Sequence, residues 1–173
     1  NGDGTFTVRF RADDGWNDYV TVDRMLPHTG TVWTLGGLKY AQVGPDGALW
    51  PALVEKAYAQ MAEAGRMGRE AANAYWVLDG GDPAAGLRQT LGVGTVVSGA
   101  PLATMDDWTT LIWGQERLTR VVALTSNDFG GATWDQNGVR TRHAYAVIDY
   151  HDTTGLYTLY DPYGSTLLLT RAQ

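Results

Sequence analysis

The sequence contains no cysteine. A chain without cysteine forms no disulfide, holds no metal through thiolates and has no thiol nucleophile of its own. This leaves the cellular compartment open, because a domain without disulfides functions on either side of a membrane. Long apolar runs are also missing, since none approaches the roughly 20 residues that are needed to span a bilayer.

Basic residues are scarce. The chain has 13 Lys and Arg against 19 Asp and Glu, which gives a formal net charge of −6. This balance argues against a general nucleic-acid surface and against binding to an anionic membrane. We therefore expect neither nucleic acid nor membrane as a partner. The first residues do not form a signal peptide and there is no initiator methionine, so we expect a processed or cleaved start.

Aromatic and apolar residues are plentiful, with seven Trp, nine Tyr and 44% hydrophobic residues. This composition predicts a packed globule, and 173 residues fit a single domain over 1–173. Strand patterns lie at both ends of the chain and helical patterns lie in the middle. We find no repeat and no low-complexity linker. The order of these patterns predicts an α+β fold.

Strand-like alternation occurs in residues 5–10 and 19–22, and Asp13-Asp14-Gly15 between them predicts a hairpin turn. The acidic residues around this turn lack EF-hand spacing, so we interpret them as turn residues and not as calcium ligands. The remaining patterns predict helices at 48–64, 69–78, 83–91 and 108–118. A capping box at 104–107 precedes the last of these helices. Strands are predicted at 93–97 and 120–124, and a polar loop at 126–138.

Residues 142–164 read as two strands joined by a polar turn at 152–155. If Tyr150 and Leu156 flank the turn, the antiparallel register places Tyr145 opposite Asp161. His143 is then the diagonal neighbour of Asp161, about 7–8 Å away at the backbone and within side-chain reach. The hairpin therefore brings a histidine and an acid that can orient it to one end of a sheet.

The same stretch resembles the calpain family of cysteine proteases. His143-Ala-Tyr-Ala-Val is similar to the family block that carries the catalytic histidine, and Asp161-Pro-Tyr-Gly is similar to the Asn-Pro-Trp-Gly block. Residues 18–27 and 49–59 resemble two further calpain segments, so the resemblance covers most of the chain from about Phe6 to Gly164. It implies a papain-like α+β fold, mainly the β-rich half with neighbouring helices.

The resemblance also implies roles for individual residues. His143 would be the general base and acid, and Asp161 would orient it in place of the family asparagine. A carboxylate would hold positive charge on the imidazole more firmly than an amide would. Tyr163 replaces the tryptophan that shields the pair. In such a layout the loop at 126–138 borders the substrate cleft, where Trp134 either contacts substrate or anchors the loop.

Calpains use calcium in their protease core, but the resemblance places no calcium site on named residues here, and we predict no metal ligand in this chain. The family cysteine lies in a block that would precede the segment starting at residue 20. We therefore expect the nucleophile on an upstream segment or a separate chain, with a peptide or protein as substrate.

Two other hypotheses stay open. The chain could be an inactive calpain-like pseudoprotease that binds proteins, because the cysteine is absent. Alternatively, His143 and Asp161 could activate another nucleophile such as Ser126 or Thr125, although no G-x-S-x-G motif supports this.

Overall fold

The computed structural model describes residues 1–30, 37–43, 47–92, 121–128, 130–151 and 153–170. Contacts divide the chain into two compact units, Asn1–Val96 and Val97–Gln173, and each is described by itself. The expectation of a single domain stays a prediction. The predictions for residues 93–118, a strand and a capped helix, lie outside the described residues.

The first unit begins with an antiparallel pair of strands, β1 (Thr5–Arg11) and β2 (Asn17–Asp23), which pair without a register shift. Alternation places Phe10, Val20 and Val22 on the buried side. Gly15 lies in the connecting turn with φ of 87°, a left-handed value that glycine adopts without steric cost. Both predicted strands are confirmed.

Two α-helices follow, α1 (Trp50–Ala62) and α2 (Pro83–Leu91). The carboxylate of Asp82 accepts a hydrogen bond from the backbone N–H of Ala84 and caps α2, and Gly92 ends this helix in the left-handed conformation. Pro83 occupies the first turn, where its missing N–H costs nothing. The predicted helix at 83–91 is confirmed to the residue, and α1 lies inside the predicted range of 48–64.

The predicted helix at 69–78 is wrong. In this segment the structure has a 3₁₀ turn at Tyr75–Leu78 and irregular backbone before it. The guanidinium of Arg69 donates to the carbonyl oxygens of Val77 at 2.8 Å and Gly80 at 3.1 Å, which satisfies backbone acceptors that have no helical partner. Burial of Val77 in the core then favours the tighter turn over a regular helix.

The core of the first unit lies between β1, β2 and α1, with contributions from the segment that follows α1. Its members are apolar side chains that are less than a tenth exposed: Phe10, Ala12, Val20, Val22, Leu53, Ala57, Met61, Ala62, Met67 and Val77. Leu53, Ala57 and Met61 recur at helical spacing on one face of α1, which is the pattern of a helix that buries one side.

The second unit is a four-stranded antiparallel sheet in chain order: β3 (Ala123–Thr125), β4 (Ala144–His151), β5 (Leu156–Tyr160) and β6 (Thr166–Thr170). The two strands of the central hairpin are confirmed, and β3 overlaps the described part of the predicted strand at 120–124. Sequence reasoning missed β6, whose three consecutive leucines lack the alternation of polar and apolar residues that is typical of a half-buried strand.

The register of the hairpin agrees with the prediction at one end and differs at the other. Ala146 pairs with Tyr160, which continues to the expected position of Tyr145 opposite Asp161. A β-bulge between Val147 and Asp149 then shifts the pairing, so Tyr150 lies opposite Tyr157 and not Leu156. Because the bulge lies between the histidine end and the turn, the pairing on the histidine side keeps the predicted register and only the pairing on the turn side is shifted.

Among the described residues, no helix is long and apolar enough to cross a membrane.

Candidate active site

His143 and Asp161 lie at the same end of the β4–β5 hairpin. His143 immediately precedes β4 and Asp161 immediately follows β5. The imidazole Nε2 lies 3.0 Å from Oδ1 of Asp161, and the two side chains are 17% and 4% exposed. The expected contact is present, whereas the catalytic role of the two residues stays a prediction.

The orientation of the imidazole follows from the chemistry of its partner. An ionised carboxylate only accepts hydrogen bonds, so Nε2 is the donor in this contact. In the neutral imidazole Nδ1 then carries the lone pair. The same Oδ1 accepts a hydrogen bond from the backbone N–H of Tyr163 at 2.8 Å, and main-chain bonds close the turn around it: Asp161 N–H to Ser165 O, and Gly164 N–H to Asp161 O. The acceptor for His143 is therefore held on two sides.

Two tyrosine rings contact the imidazole. The ring of Tyr163 lies nearly parallel to that of His143, with centroids 5.5 Å apart and an interplanar angle of 10°. The ring of Tyr145 meets it edge-on, at 5.0 Å and 78°. Tyr145 is buried, and burial raises the pKa of its hydroxyl, so the group stays protonated at neutral pH. The structure therefore places the predicted shield, Tyr163, against the imidazole.

Arg140 lies beside both of the exposed aromatic side chains of this site. Its guanidinium carbon lies 5.0 Å from the ring centroid of Tyr163 and 5.5 Å from that of Trp134. An isolated β-bridge between Trp134 and Arg140 brings the two residues together. Trp134 thus has an anchoring contact while its ring stays half exposed. The alternative that Trp134 contacts substrate stays a prediction.

Ser126 contacts the main chain on both sides of the turn that leads into β4. Its hydroxyl accepts a hydrogen bond from the backbone N–H of His143 at 2.9 Å and donates to the carbonyl oxygen of Arg140. The backbone N–H of Ser126 in turn donates to the carbonyl oxygen of His143 at 2.9 Å. This hydroxyl is committed to main-chain atoms, so the geometry gives no support to Ser126 as a nucleophile.

The residue before the histidine has strained backbone. Arg142 has φ of 49°, a left-handed value that is uncommon for a residue other than glycine. Its backbone N–H donates to the carbonyl oxygen of Asn127 at 3.1 Å, and its guanidinium pairs with the carboxylate of Asp128. The hydrogen bond from the backbone N–H of Gly131 lowers the pKa of Asp128 most, and the hydrogen bond from Arg142 lowers it further. These contacts hold the unfavourable backbone conformation next to His143.

Sequence reasoning gave no role to Arg140 or to the strained Arg142, and it considered Ser126 as a nucleophile and not as a contact to the main chain of His143. Arginine and serine in a polar loop have no pattern that marks them, and their contacts join residues up to 23 positions apart, from Arg140 to Tyr163. No sequence signal could have found them.

Among the described residues, no group of three or more His, Cys, Asp or Glu side chains is placed to hold a metal ion. In the turn after β1 and at the start of β2, Asp14 and Asp18 accept from Arg66, and Asp13 accepts from Gln89. These contacts agree with our interpretation of the acidic residues as turn residues. The use of calcium stays a prediction.

Comparison with protein families gives one match over nearly the whole chain. A family model described as calpain family cysteine protease matches residues 1–168. The matched range contains His143, Asp161 and Tyr163, the three residues that the hairpin and the turn after it bring together.

Proposed function

The chain belongs to the calpain family of cysteine proteases, and we propose that it carries the histidine-bearing part of an endopeptidase active site. Its described residues form two antiparallel sheets and two α-helices, a calpain-like α+β protease fold. The finer proposal concerns chemistry. His143 would be the general base and acid, Asp161 its orienting partner, and a cysteine from outside these 173 residues the nucleophile.

The proposed reaction has two stages. His143 takes the thiol proton at Nδ1, and the thiolate attacks the scissile carbonyl carbon of a peptide. The imidazolium then returns the proton to the leaving amine as the acyl-enzyme forms. In the second stage His143 takes a proton from water, and the water oxygen attacks the acyl carbon. The bond between this carbon and sulfur then breaks, the carboxylic acid product leaves, and the imidazolium returns its proton to the thiolate. Asp161 stabilises the imidazolium in both stages, because its carboxylate accepts from Nε2.

The observation that carries the proposal is the contact of His143 Nε2 with a nearly buried carboxylate. A second pair on the same hairpin gives a contrast. Nε2 of His151 lies 3.2 Å from Oδ2 of Asp149, but these two side chains are 60% and 52% exposed. An exposed ion pair contributes little, whereas a carboxylate withdrawn from water orients a histidine and supports its charge. The difference in burial favours the His143 pair as the functional one.

One alternative has its own supporting observation. The sequence contains no cysteine, so these residues alone contain no thiol nucleophile. If no cysteine from elsewhere completes the site, the protein is a calpain-like binding domain without protease activity.

Labelling with a thiol-reactive peptide inhibitor tests the proposal. The complete product of the gene that encodes residues 1–173 is purified, labelled and mapped by mass spectrometry, with peptide turnover measured in parallel. We expect a labelled cysteine outside these residues. We also expect His143→Ala to lower turnover by roughly 10²- to 10⁴-fold, the usual contribution of general acid–base catalysis.

His151→Ala is the matched control, since it removes the exposed histidine of the same hairpin, and it should leave turnover unchanged. Absence of any labelled cysteine, or equal turnover in His143→Ala and the wild type, would overturn the protease proposal. The binding-domain alternative would then remain.

A further inference from the structure

Arg140 contacts both of the tyrosines whose rings flank the imidazole of His143. Its guanidinium lies over the ring of Tyr163, which stacks on His143. Its backbone N–H donates at 2.8 Å to the hydroxyl oxygen of Tyr145, whose ring meets the imidazole edge-on. Arg140, in the loop before β4, is thus connected to His143 both through Tyr163 and through Tyr145.

The two tyrosines differ in what holds them. Tyr145 is 2% exposed and packs in the core of the second unit with Val139, Tyr157 and Leu159. Tyr163 is 53% exposed, so burial contributes little to fixing its ring over the imidazole. A guanidinium over an aromatic face is attracted by the ring quadrupole and stacks with it as a plane. The contact with Arg140 therefore supplies an orientation that packing does not.

In the part of the chain that the structure describes, the guanidinium of Arg140 lies against aromatic rings and not against a carboxylate. Arg66 and Arg142 each lie against an aspartate carboxylate, at Asp14 and Asp128. Among the described residues, Arg140 instead has its guanidinium between the contacts to Tyr163 and Trp134, and no carboxylate lies within ion-pair distance of it. The carbonyl oxygen of Arg140 accepts from the hydroxyl of Ser126, which fixes its backbone.

We propose that Arg140 is a positioning residue that holds the Tyr163 ring flat against His143 and thereby keeps water from the hydrogen bond between Nε2 and Asp161. The catalytic meaning of this device rests on the proposed function, but the device itself does not. The contacts run in series from Trp134 through Arg140 and Tyr163 to His143. Loss of the guanidinium should loosen the exposed ring and open the hydrogen bond to solvent.

The test uses NMR of the imidazole in the intact protein, where the exchange rate of the Nε2 proton of His143 with water is measured directly. Arg140→Met keeps the length and apolar stem of the side chain but removes the planar cation. We expect Arg140→Met to speed this exchange about tenfold, as the loss of a cation–π contact allows. Arg140→Lys keeps the charge without the planar group and should give an intermediate rate.

Arg24→Met is the matched control. It removes the same charge from an exposed arginine of the first unit that has no role in the histidine site. Its exchange rate should equal that of the wild type. Equal rates in Arg140→Met and the wild type would overturn the proposal, as would equal acceleration in Arg24→Met. If Arg140→Met fails to fold, Arg140→Lys decides between the same outcomes, because wild-type exchange in that variant also contradicts a role for the planar group.

This readout needs no thiol and no substrate. If no cysteine is labelled but Arg140→Met speeds the exchange of the Nε2 proton, the protease proposal is rejected and the positioning role of Arg140 is kept. If a cysteine is labelled but the exchange rate does not change, the positioning role is rejected and the protease proposal is kept.

Discussion

One carboxylate of the second unit, that of Asp161, differs from the ion-paired carboxylates of the first unit. In the first unit Asp14 pairs with Arg66 at 2.8 Å and Asp23 pairs with Lys56 at 2.6 Å, and hydrogen bonds from these cations lower the pKa of both carboxyl groups. Both aspartates are at the surface. In the second unit Asp161 is nearly buried, and its side-chain partner is a histidine, a group that can exchange a proton near neutral pH.

Under the proposed function, this difference separates carboxylates that hold the fold from one that takes part in the chemistry. The exposed pairs of the first unit connect β2 and the turn before it to later segments, and water screens them. The Asp161 pair is withdrawn from water and faces a group that can change its charge. The lesson is that a carboxylate indicates chemistry through its burial and the kind of partner it has, and not through the strength of its ion pair.

The calpain-like segment at 49–59 supports the same distinction. Its Leu53 and Ala57 are buried in the core of the first unit, and its Lys56 donates to Asp23. Glu55 accepts from the backbone N–H of Ala41 at 2.8 Å. These residues pack a helix and connect it to other parts of the first unit, and none of these contacts belongs to the histidine site.

Substitution of Asp161 should have the largest effect. Asp161→Ala leaves Nε2 of His143 without an acceptor, and we expect peptide turnover by the complete enzyme to fall roughly a hundredfold. Asp161→Asn should keep turnover within about tenfold of the wild type, because an amide oxygen can accept from both His143 Nε2 and the Tyr163 N–H. Initial rates with a fluorogenic peptide measure both effects.

Asp149→Ala is the control, since Asp149 pairs with the exposed His151. It should leave the rate unchanged. If Asp161→Ala changed stability but not rate, the carboxylates of the two units would have the same structural role, and the contrast between them would fail.

Gln89 tests the structural character of the first unit. Gln89 is 1% exposed; its amide oxygen accepts from the hydroxyl of Tyr58, and its Nε2 donates to Asp13 at 2.9 Å. Gln89→Ala removes the hydrogen-bond acceptor of the half-buried Tyr58 hydroxyl and leaves space at a buried position, so we expect the free energy of unfolding to fall by about 1–3 kcal/mol. Urea denaturation measures this change. Gln136→Ala, at an exposed position, should leave the urea midpoint where it is.

The half-buried Glu55 should give the smallest effect, as a dependence on pH. Burial raises the pKa of Glu55 above its usual 4.5, against a smaller opposing effect of the Ala41 N–H. The unfolded state therefore loses this proton first as pH rises. The free energy of unfolding of the wild type should fall between pH 4.5 and the raised folded pKa, and the contribution of Glu55 is fully present only below that window.

Glu55→Gln removes this titration while keeping an acceptor for Ala41. As pH rises through the window, Glu55→Gln should therefore become more stable than the wild type, with a higher urea midpoint. The difference in the free energy of unfolding should be less than about 1 kcal/mol, because the side chain is partly solvated. Midpoint curves that stay parallel from pH 4 to pH 7 would show that burial does not perturb Glu55.

Much of the histidine end of the hairpin could be predicted from the sequence. Alternation with a period of two and a turn rich in Asp, Thr and Gly define both strands, and the register then brings His143 to Asp161. The turn end could not be predicted in the same way. A bulge near Ile148 shifts it by one residue, and nothing in the local pattern marks where a strand accepts an extra residue.

The failed helix at 69–78 has a related cause. Its periodicity was compatible with a helix, but Arg69 binds the carbonyl oxygens of Val77 and Gly80, and burial of Val77 decides the backbone. Helix propensity is a weak preference that such tertiary contacts override. By contrast, α2 has Asp82, Pro83 and Gly92 at its ends, so its bounds depend on neighbouring residues alone.

The sequence by itself determined the features that arise between near neighbours: the capped helix α2, the strands of the two hairpins, and the pairing of His143 with Asp161 across one turn. Tertiary structure alone decided what surrounds that pair. It placed the Tyr163 ring beside Arg140 and the hydroxyl of Ser126 on the backbone N–H of His143. It also buried this pair while leaving His151 and Asp149 exposed. The reason is physical. Caps and strand alternation depend on the covalent order of a few residues, whereas burial and ring stacking depend on which distant segments pack together.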